Sequence, residues 1–289
     1  MKVTSWNLLH GQTIPPGLTA NSEVAEKFTQ EQLLTAIAQR LTSDVVGLQE
    51  VDEAQPRSEG HSQVQSIAKQ MGAAYWGYAK TVIGTPGEEW RKLEPEERII
   101  ETQSSHNDEQ SPVPSYGIGL ISRIPVVAWH RMELGRSKVG LPLAFPSERG
   151  VKLIYVRDEP RTALAAQLAN GYTVAVTHLS FVPFVNIYQL WKVQRWLRRL
   201  PGKSILMGDL NLPFNIPIKV SRWKSKVACN TYPSWGPKIQ FDYILTYENL
   251  ATAIAKLAPS EISISDHLPI TVEFVESRFG KESPSIDLH

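Results

Sequence analysis

Four short apolar segments in this chain each run straight into a residue able to bind a metal, a water or a phosphate. Val3-Thr4-Ser5-Trp6 leads to Asn7, and Val45-Val46-Gly47-Leu48 leads to Gln49-Glu50. Val174-Ala175-Val176-Thr177 leads to His178, and Ile205-Leu206-Met207-Gly208 leads to Asp209. Runs this short and this apolar read as strands buried on both faces. Such strands deliver their last side chains to a sheet edge, where loops diverge and ligands gather. Side chains two apart on an extended segment face the same way, so Asp209 and Asn211 address one ligand together. Two further sites stand at strand starts. Asp242 lies inside Phe241-Asp242-Tyr243-Ile244-Leu245, and Asp266-His267 precedes Leu268-Pro269-Ile270-Thr271-Val272. Strands of opposite direction bring starts and ends to one rim, so a mixed or antiparallel sheet collects all of these residues at one edge.

The same patterning marks strands over residues 2–9, 45–51, 74–81, 117–122, 152–156, 162–168, 172–179, 204–210, 241–246 and 269–275. Helices are fewer. Thr29-Gln30-Glu31-Gln32 has the form of a capping box ahead of Leu33, Leu34, Ile37 and Leu41. A second helix is expected over 63–71. A third, over about 184–200, carries the stripe Ile187, Leu190, Trp191, Gln194 and Leu197. Its last turns hold Arg195, Arg198 and Arg199, which complement the helix dipole or else face an anion. Residues 85–114, rich in Glu, Gln, Ser and Pro, read as an acidic surface excursion with a short helix near 95–101 and a flexible tip. The expected organisation is one domain over 1–276 and a polar tail over 277–289.

Composition sets the outer limits. The chain has 289 residues, 42% of them hydrophobic, and Lys plus Arg number 30 against 29 Asp plus Glu. A net charge of +1 argues against a long nucleic-acid grip made through many phosphates, although a local patch can suffice. Cys229 is the single cysteine, so an intrachain disulfide and a cysteine metal cluster are both excluded, and it is expected to be buried and inert. No stretch approaches the roughly 20 apolar residues of a membrane span. The start shows no charged segment followed by an apolar one, so a soluble, cytoplasmic, monomeric protein is expected.

The residue inventory then limits the chemistry. Asn7, Glu50 and Asp266 offer hard oxygen ligands, which suit Mg²⁺ or Mn²⁺. Asp52 and Glu53, beside Glu50, are expected at the surface. There is no HExxH, no GxSxG and no Walker phosphate loop, and Gly117-Ile118-Gly119 lacks the third glycine of a dinucleotide site. His10, His61, His106, His130 and His289 show no comparable context. Lys219, Arg222, Lys224 and Lys226 surround Trp223 and form either a plain solvated loop or a hold for an extended anion with aromatic stacking.

The ordered set Trp6-Asn7, Leu48-Gln49-Glu50, Ser122-Arg123-Ile124-Pro125, Thr177-His178-Leu179, Gly208-Asp209-Leu210-Asn211, Asp242-Tyr243-Ile244-Leu245 and Ser265-Asp266-His267 resembles the endonuclease/exonuclease/phosphatase superfamily, over about residues 1–275. That resemblance implies a four-layer α/β/β/α sandwich with two packed mixed sheets. It implies a metal-dependent phosphoesterase working by in-line attack of an activated water. Glu50 would be the main metal ligand, with Asn7 and Asp266 nearby. Asp209 would orient or deprotonate the water, and Asn211 would hold a phosphate oxygen. His267, oriented by Asp242, would contact the phosphoryl group, His178 matches the second histidine of some branches, and Arg161 would contact phosphate or simply close the turn after Pro160.

The same resemblance narrows the substrate only partly. Leu9 and Val51-Asp52 depart from the abasic-site endonucleases, which carry an acid and Thr-Lys at these places. Signals and disulfides of the secreted sphingomyelinases and deoxyribonucleases are not visible. A nuclease of another branch and a phosphatase for a small or lipid-linked phosphate both remain, with nucleic acid a possible partner. A scaffold protein on the same fold is the reading from another class; such descendants typically lose residues of the Glu50, Asp209 or His267 type, and all are present here.

Overall fold

Strand ends and strand starts meet at one end of two stacked sheets. A computed structural model describes residues 1–13, 28–104, 112–147, 150–254 and 264–275. In chain order the strands are β1 (Lys2–Asn7), β2 (Val45–Glu53), β3 (Tyr75–Gly84), β4 (Trp90–Lys92), β5 (Glu101–Thr102), β6 (Ser115–Ser122), β7 (Val126–Gly135), β8 (Leu141–Ser147), β9 (Gly150–Val156), β10 (Arg161–Leu168), β11 (Tyr172–His178), β12 (Lys203–Asp209), β13 (Lys224–Ser225), β14 (Asp242–Thr246), β15 (Thr252–Ile254) and β16 (Ile270–Phe274). The helices are α1 (Gln30–Arg40), α2 (Gln63–Met71), α3 (Val185–Leu197) and the single turn α4 (Ile216–Lys219).

The first sheet runs β15-β16-β1-β2-β6-β3-β4, with β5 beside β3, and the second runs β13-β14-β12-β11-β10-β7. Each is mixed. β1 and β2 are parallel while β16 is antiparallel to β1. β11 and β12 are parallel while β10 and β14 are antiparallel to them. The first sheet packs its inner face on the second through Val45, Ile118, Leu120 and Val272 against Leu164, Val174, Val176 and Met207. α1 and α2 cover its outer face, and α3 covers the outer face of the second sheet. This is the expected four-layer sandwich. Gly47 marks how closely the sheets approach, because a Cβ there would lie 2.6 Å from Met207 Cε.

Local chemistry explains the element boundaries. The Thr29 hydroxyl accepts from Gln32 N, and the Gln32 side chain accepts from Thr29 N, so the capping box forms as read. All ten expected strands form, with ends within three residues of the expected ones. β7 and β8 were not legible. β7 is an edge strand of the second sheet, with most of its residues half-buried and Val127 66% exposed, so its apolar pattern is blurred. The acidic excursion carries more structure than expected, since β4 and β5 both pair with β3. Its helix is one 3₁₀ turn, Pro95–Glu97, held by a two-bond Arg91–Glu97 pair. Residues 105–111 of the excursion and the tail over 277–289 lie outside the described residues.

Three expectations fail on burial. Asp52 and Glu53 are buried, not superficial, because β2 continues through them; Asp52 accepts two bonds from Arg57 and one from Ser58. Cys229 is exposed, because it lies in an irregular segment between β13 and β14. Trp223 is 2% exposed and packs into the core under α3, so it offers no face for stacking a base. Among the described residues no helix is long and apolar enough to cross a membrane.

Candidate active site

From the first sheet come Asn7, Glu50, Asp266 and His267. Asn7 closes β1, and its Nδ2 donates to Glu50 Oε1 at 2.9 Å and to Asp209 Oδ2 at 3.1 Å. Glu50 reaches the site through a bulge. The β2–β6 register shifts between Gln49 and Val51, and Glu50 sits at φ +54°. A bulge of this kind re-aims one side chain at a local cost of order 1–3 kcal/mol. Gln49 stays in the ladder and bonds Ser5, while Glu50 turns into the cleft. The loop before β16 is tied to β1: Ser265 Oγ donates to Asn7 O at 2.6 Å, and His267 N donates to Ser265 Oγ at 3.1 Å.

From the second sheet come Arg161, His178, Asp209, Asn211 and Asp242. Gly208 makes the presentation of Asp209 possible. It lies at φ +145°, and a Cβ there would sit 1.8 Å from Thr177 O, so no other residue fits. Beyond the strand, Asn211 N donates back to Asp209 Oδ1 at 2.9 Å. The Asn211 side-chain Nδ2 lies 3.0 Å from Leu179 O and 3.2 Å from His178 Nε2. Both N–H groups are therefore occupied, and a phosphate oxygen would gain one only by exchange with His178.

Across the seam, His267 Nδ1 lies 2.7 Å from Asp242 Oδ2, and its Nε2 lies 3.6 Å from Asp209 Oδ2. His178 stands on the other flank, with Nε2 3.5 Å from Asp209 Oδ2 and Nδ1 3.8 Å from Glu50 Oε1. All these groups line one cleft of about 1760 Å³, except Asn7 and Asp242, which support it from below.

Electrostatics divide the two histidines. Burial works against a charge on His267, but Asp242, Asp209 and Asp266 outweigh it and lift its pKa to about 10. Burial, then Arg161 and His267, push His178 well below the usual imidazole range, so it is neutral. Burial raises Asp209, opposed by His267. Burial and then Asp266 raise Glu50 to about 7, opposed by the Asn7 hydrogen bond. Glu50 and Asp266 thus repel one another in a dry setting, a deficit of positive charge that a divalent cation would relieve. The Glu50 and Asp266 carboxylates fit a hard ion such as Mg²⁺ or Mn²⁺. Asn7 turns its Nδ2 to Glu50 and Asp209, and its Oδ1 accepts from Leu9 N at 3.1 Å, so its oxygen would reach an ion only after the amide turns over. Among the described residues no group of three or more His, Cys, Asp or Glu side chains is placed to hold a metal ion.

Arg161 does more than close a turn. It is buried at the start of β10, 3.1 Å from Glu159 Oε1 and 3.5 Å from Asp158 Oδ1, and its Nε has no partner. Asp158 is itself anchored by Ser137 N and Ser180 Oγ. In the sequence this acidic cage shows only as the run Asp158-Glu159-Pro160-Arg161. Tyr232, whose ring centroid lies 5.0 Å from that of His267, and His10, which lines the cleft, carry no local sequence signal.

Comparisons with known proteins bear on the fold and the family. No relative was found among the curated proteins. A structure from Beutenbergia cavernae DSM 12333, described as an endonuclease/exonuclease/phosphatase, is 20% identical, with a TM-score of 0.54 over 95% of this chain and 71% of that one. The mannosyl-6-phosphatase Bt3783 of Bacteroides thetaiotaomicron VPI-5482 is 13% identical, with a TM-score of 0.54 over 96% and 100%. The human Nocturnin catalytic domain, with bound sulfate anion, is 16% identical, with a TM-score of 0.53 over 95% and 93%. These likenesses share the fold. Residues 4–267 match the model of the Endonuclease/Exonuclease/phosphatase family, and the chain belongs to that family of phosphoester hydrolases.

Proposed function

We propose that the protein is a divalent-metal-dependent phosphoesterase that hydrolyses its substrate by in-line attack of an activated water. The observation that carries this reading is Asp209, buried between a charged and a neutral histidine and hydrogen-bonded to Asn7 across the seam. Glu50, Asn7 and Asp266 would hold Mg²⁺ or Mn²⁺. When bound, the ion supplies Lewis-acid polarisation of a phosphoryl oxygen.

The chain's own residues do the rest. The raised pKa of Asp209 suits a carboxylate that takes the water proton near neutral pH. The His267 imidazolium, oriented by Asp242, donates toward charge growing on the phosphoryl oxygens. Arg161, which lines the cleft, adds positive charge near the same oxygens, and the exchangeable amide of Asn211 offers a further donor. His178, kept neutral by burial, stands beside Asp209 as a hydrogen-bonding partner that helps position the attacking water. Phosphodiesters, nucleic acid among them, and phosphomonoesters both fit a cleft of this size.

The test is hydrolysis of bis(p-nitrophenyl) phosphate and p-nitrophenyl phosphate. Activity should vanish in EDTA and return with Mg²⁺ or Mn²⁺, and His267→Ala should lower turnover by about 10²–10³ in protein that remains folded. A His267→Ala protein with wild-type turnover would end the assignment of that residue.

A further inference from the structure

The chain's net charge of +1 conceals a sharp segregation. From Leu179 to Phe241 there are ten Lys and Arg and one acid, and that acid is Asp209. Among the described residues, no ion pair uses a base from this stretch. α3 and the segment around α4 lie side by side. Asn186 Nδ2 donates to Asn211 O at 3.0 Å, Trp191 Nε1 to Val220 O at 2.7 Å, and Gln194 Nε2 to Ser221 Oγ at 3.2 Å.

Their outer surface is apolar as well as basic. Phe184, at the N-cap of α3, and Tyr188 and Trp191 on it recur at helical spacing and are 81%, 62% and 53% exposed. Phe214 and Ile218 are 71% and 37% exposed on the neighbouring segment. Both phenylalanines sit at positive φ, +66° for Phe184 and +55° for Phe214. A bulky residue in that region is strained, and here the strain holds aromatic rings in water rather than in the core. Phe184 and the adjoining Pro183, Pro213 and Ile216 line the mouth of the catalytic cleft. Arg195, Arg199, Lys219 and Arg222 are exposed on the same two segments.

We propose that this face docks the enzyme on an anionic phospholipid bilayer. Aromatic side chains inserted at the headgroup level, with unpaired cations beside them and no acids, are the two attractions that hold a protein on such a surface. A single-stranded nucleic acid would use similar side chains, but it needs a groove that tracks its backbone, and this surface is the outside of a helix with buried Trp223 beneath it. Docking does not depend on the phosphoesterase reading; its consequence, that the substrate phosphoester is presented at a lipid surface, does rest on that reading.

The experiment is sedimentation of the full chain with vesicles of phosphatidylcholine alone, or with about 30% phosphatidylserine. The protein should co-sediment with the anionic vesicles and be released by salt. Phe214→Ser with Ile218→Ser should lower the partition coefficient about tenfold or more. Lys219→Gln with Arg222→Gln should weaken the phosphatidylserine dependence. Both double variants should keep wild-type melting temperature and wild-type hydrolysis of bis(p-nitrophenyl) phosphate, so a failed docking model and a failed catalytic one are distinguishable. Wild-type protein left in the supernatant, equal binding to both vesicles, or double variants that bind like wild type would overturn the proposal. So would an oligonucleotide that displaces the protein from vesicles and loses its grip with the same variants.

Discussion

The two sheets bring different chemistry to the seam. The eight-stranded sheet supplies the Glu50 and Asp266 carboxylates and the Asn7 amide, with His267 at their side. The six-stranded sheet supplies Asp209, Asp242, His178 and Arg161, groups suited to moving protons and holding anions. Their delivery differs too. Asp209 and His178 simply end parallel neighbours β12 and β11, opposite one another in register. Glu50 needs a bulge, and Asp266-His267 needs a loop pinned by Ser265, itself at φ +65°. The seam is closed by side chains: Asn7 to Asp209, and His267 to Asp242. Neither sheet alone holds a complete site, so the chemistry depends on how the sheets pack.

That contrast is sharpest in a pair of variants. Asp209→Asn should lose about 10³-fold or more in turnover, and no concentration of metal should recover it. Glu50→Gln should lose comparably at low Mg²⁺ but regain part of its rate as Mg²⁺ or Mn²⁺ is raised, because the defect lies in holding the ion. Titration of turnover against metal for both variants decides it. If Glu50→Gln stays flat while Asp209→Asn is rescued, the two sheets' roles are exchanged.

A structural variant asks whether the seam needs the packing. Gly47→Val would drive a side chain into Met207 and Val176, where the sheets touch. Overpacking of this sort costs about 1–3 kcal/mol. The melting temperature should fall, and turnover should fall in protein that remains folded, since Asn7 and Asp209 are then pushed apart. Full turnover in a destabilised but folded variant would show the site to be independent of sheet spacing.

How much of this the chain announces depends on distance along the sequence. Asn7, His178 and Asp209 are legible because a local pattern, apolar strand then polar end, is all that places them. The strands and the capping box at Thr29 are local for the same reason. The choice between Gln49 and Glu50 is not, because the bulge is set by pairing with β6, about seventy residues away. Asp52 looked solvated beside two other acids, yet its partner Arg57 makes burial tolerable. Arg161 could not be told from a turn residue, since its carboxylate cage is closed by Ser137 and Ser180 from the loops after β7 and β11. The basic face of α3 and α4 vanished into a balanced total, because the compensating acids lie elsewhere in the chain.

The smallest expected effect concerns His10, which follows β1 on the rim of the first sheet. Burial, then the charge of Arg57, lowers its pKa from 6.5 to about 3. It is therefore neutral in the folded protein, unlike His267 on the same sheet. The sign follows from linkage. The unfolded chain takes up a proton near pH 6.5, the folded one only near 3, so stability is full above 6.5 and drains away as the pH falls between those values. Between about pH 7 and 5.5 this group alone should cost about 1 kcal/mol. His10 sits at φ +46°, a conformation asparagine tolerates, so His10→Asn removes the titration without new backbone strain. The unfolding free energies of wild type and His10→Asn, followed by denaturant titration over that range, should draw together or cross as the pH falls. Parallel curves would mean that the His10 ring takes its proton in the folded protein as readily as in water, and that the rim of the first sheet is open to solvent.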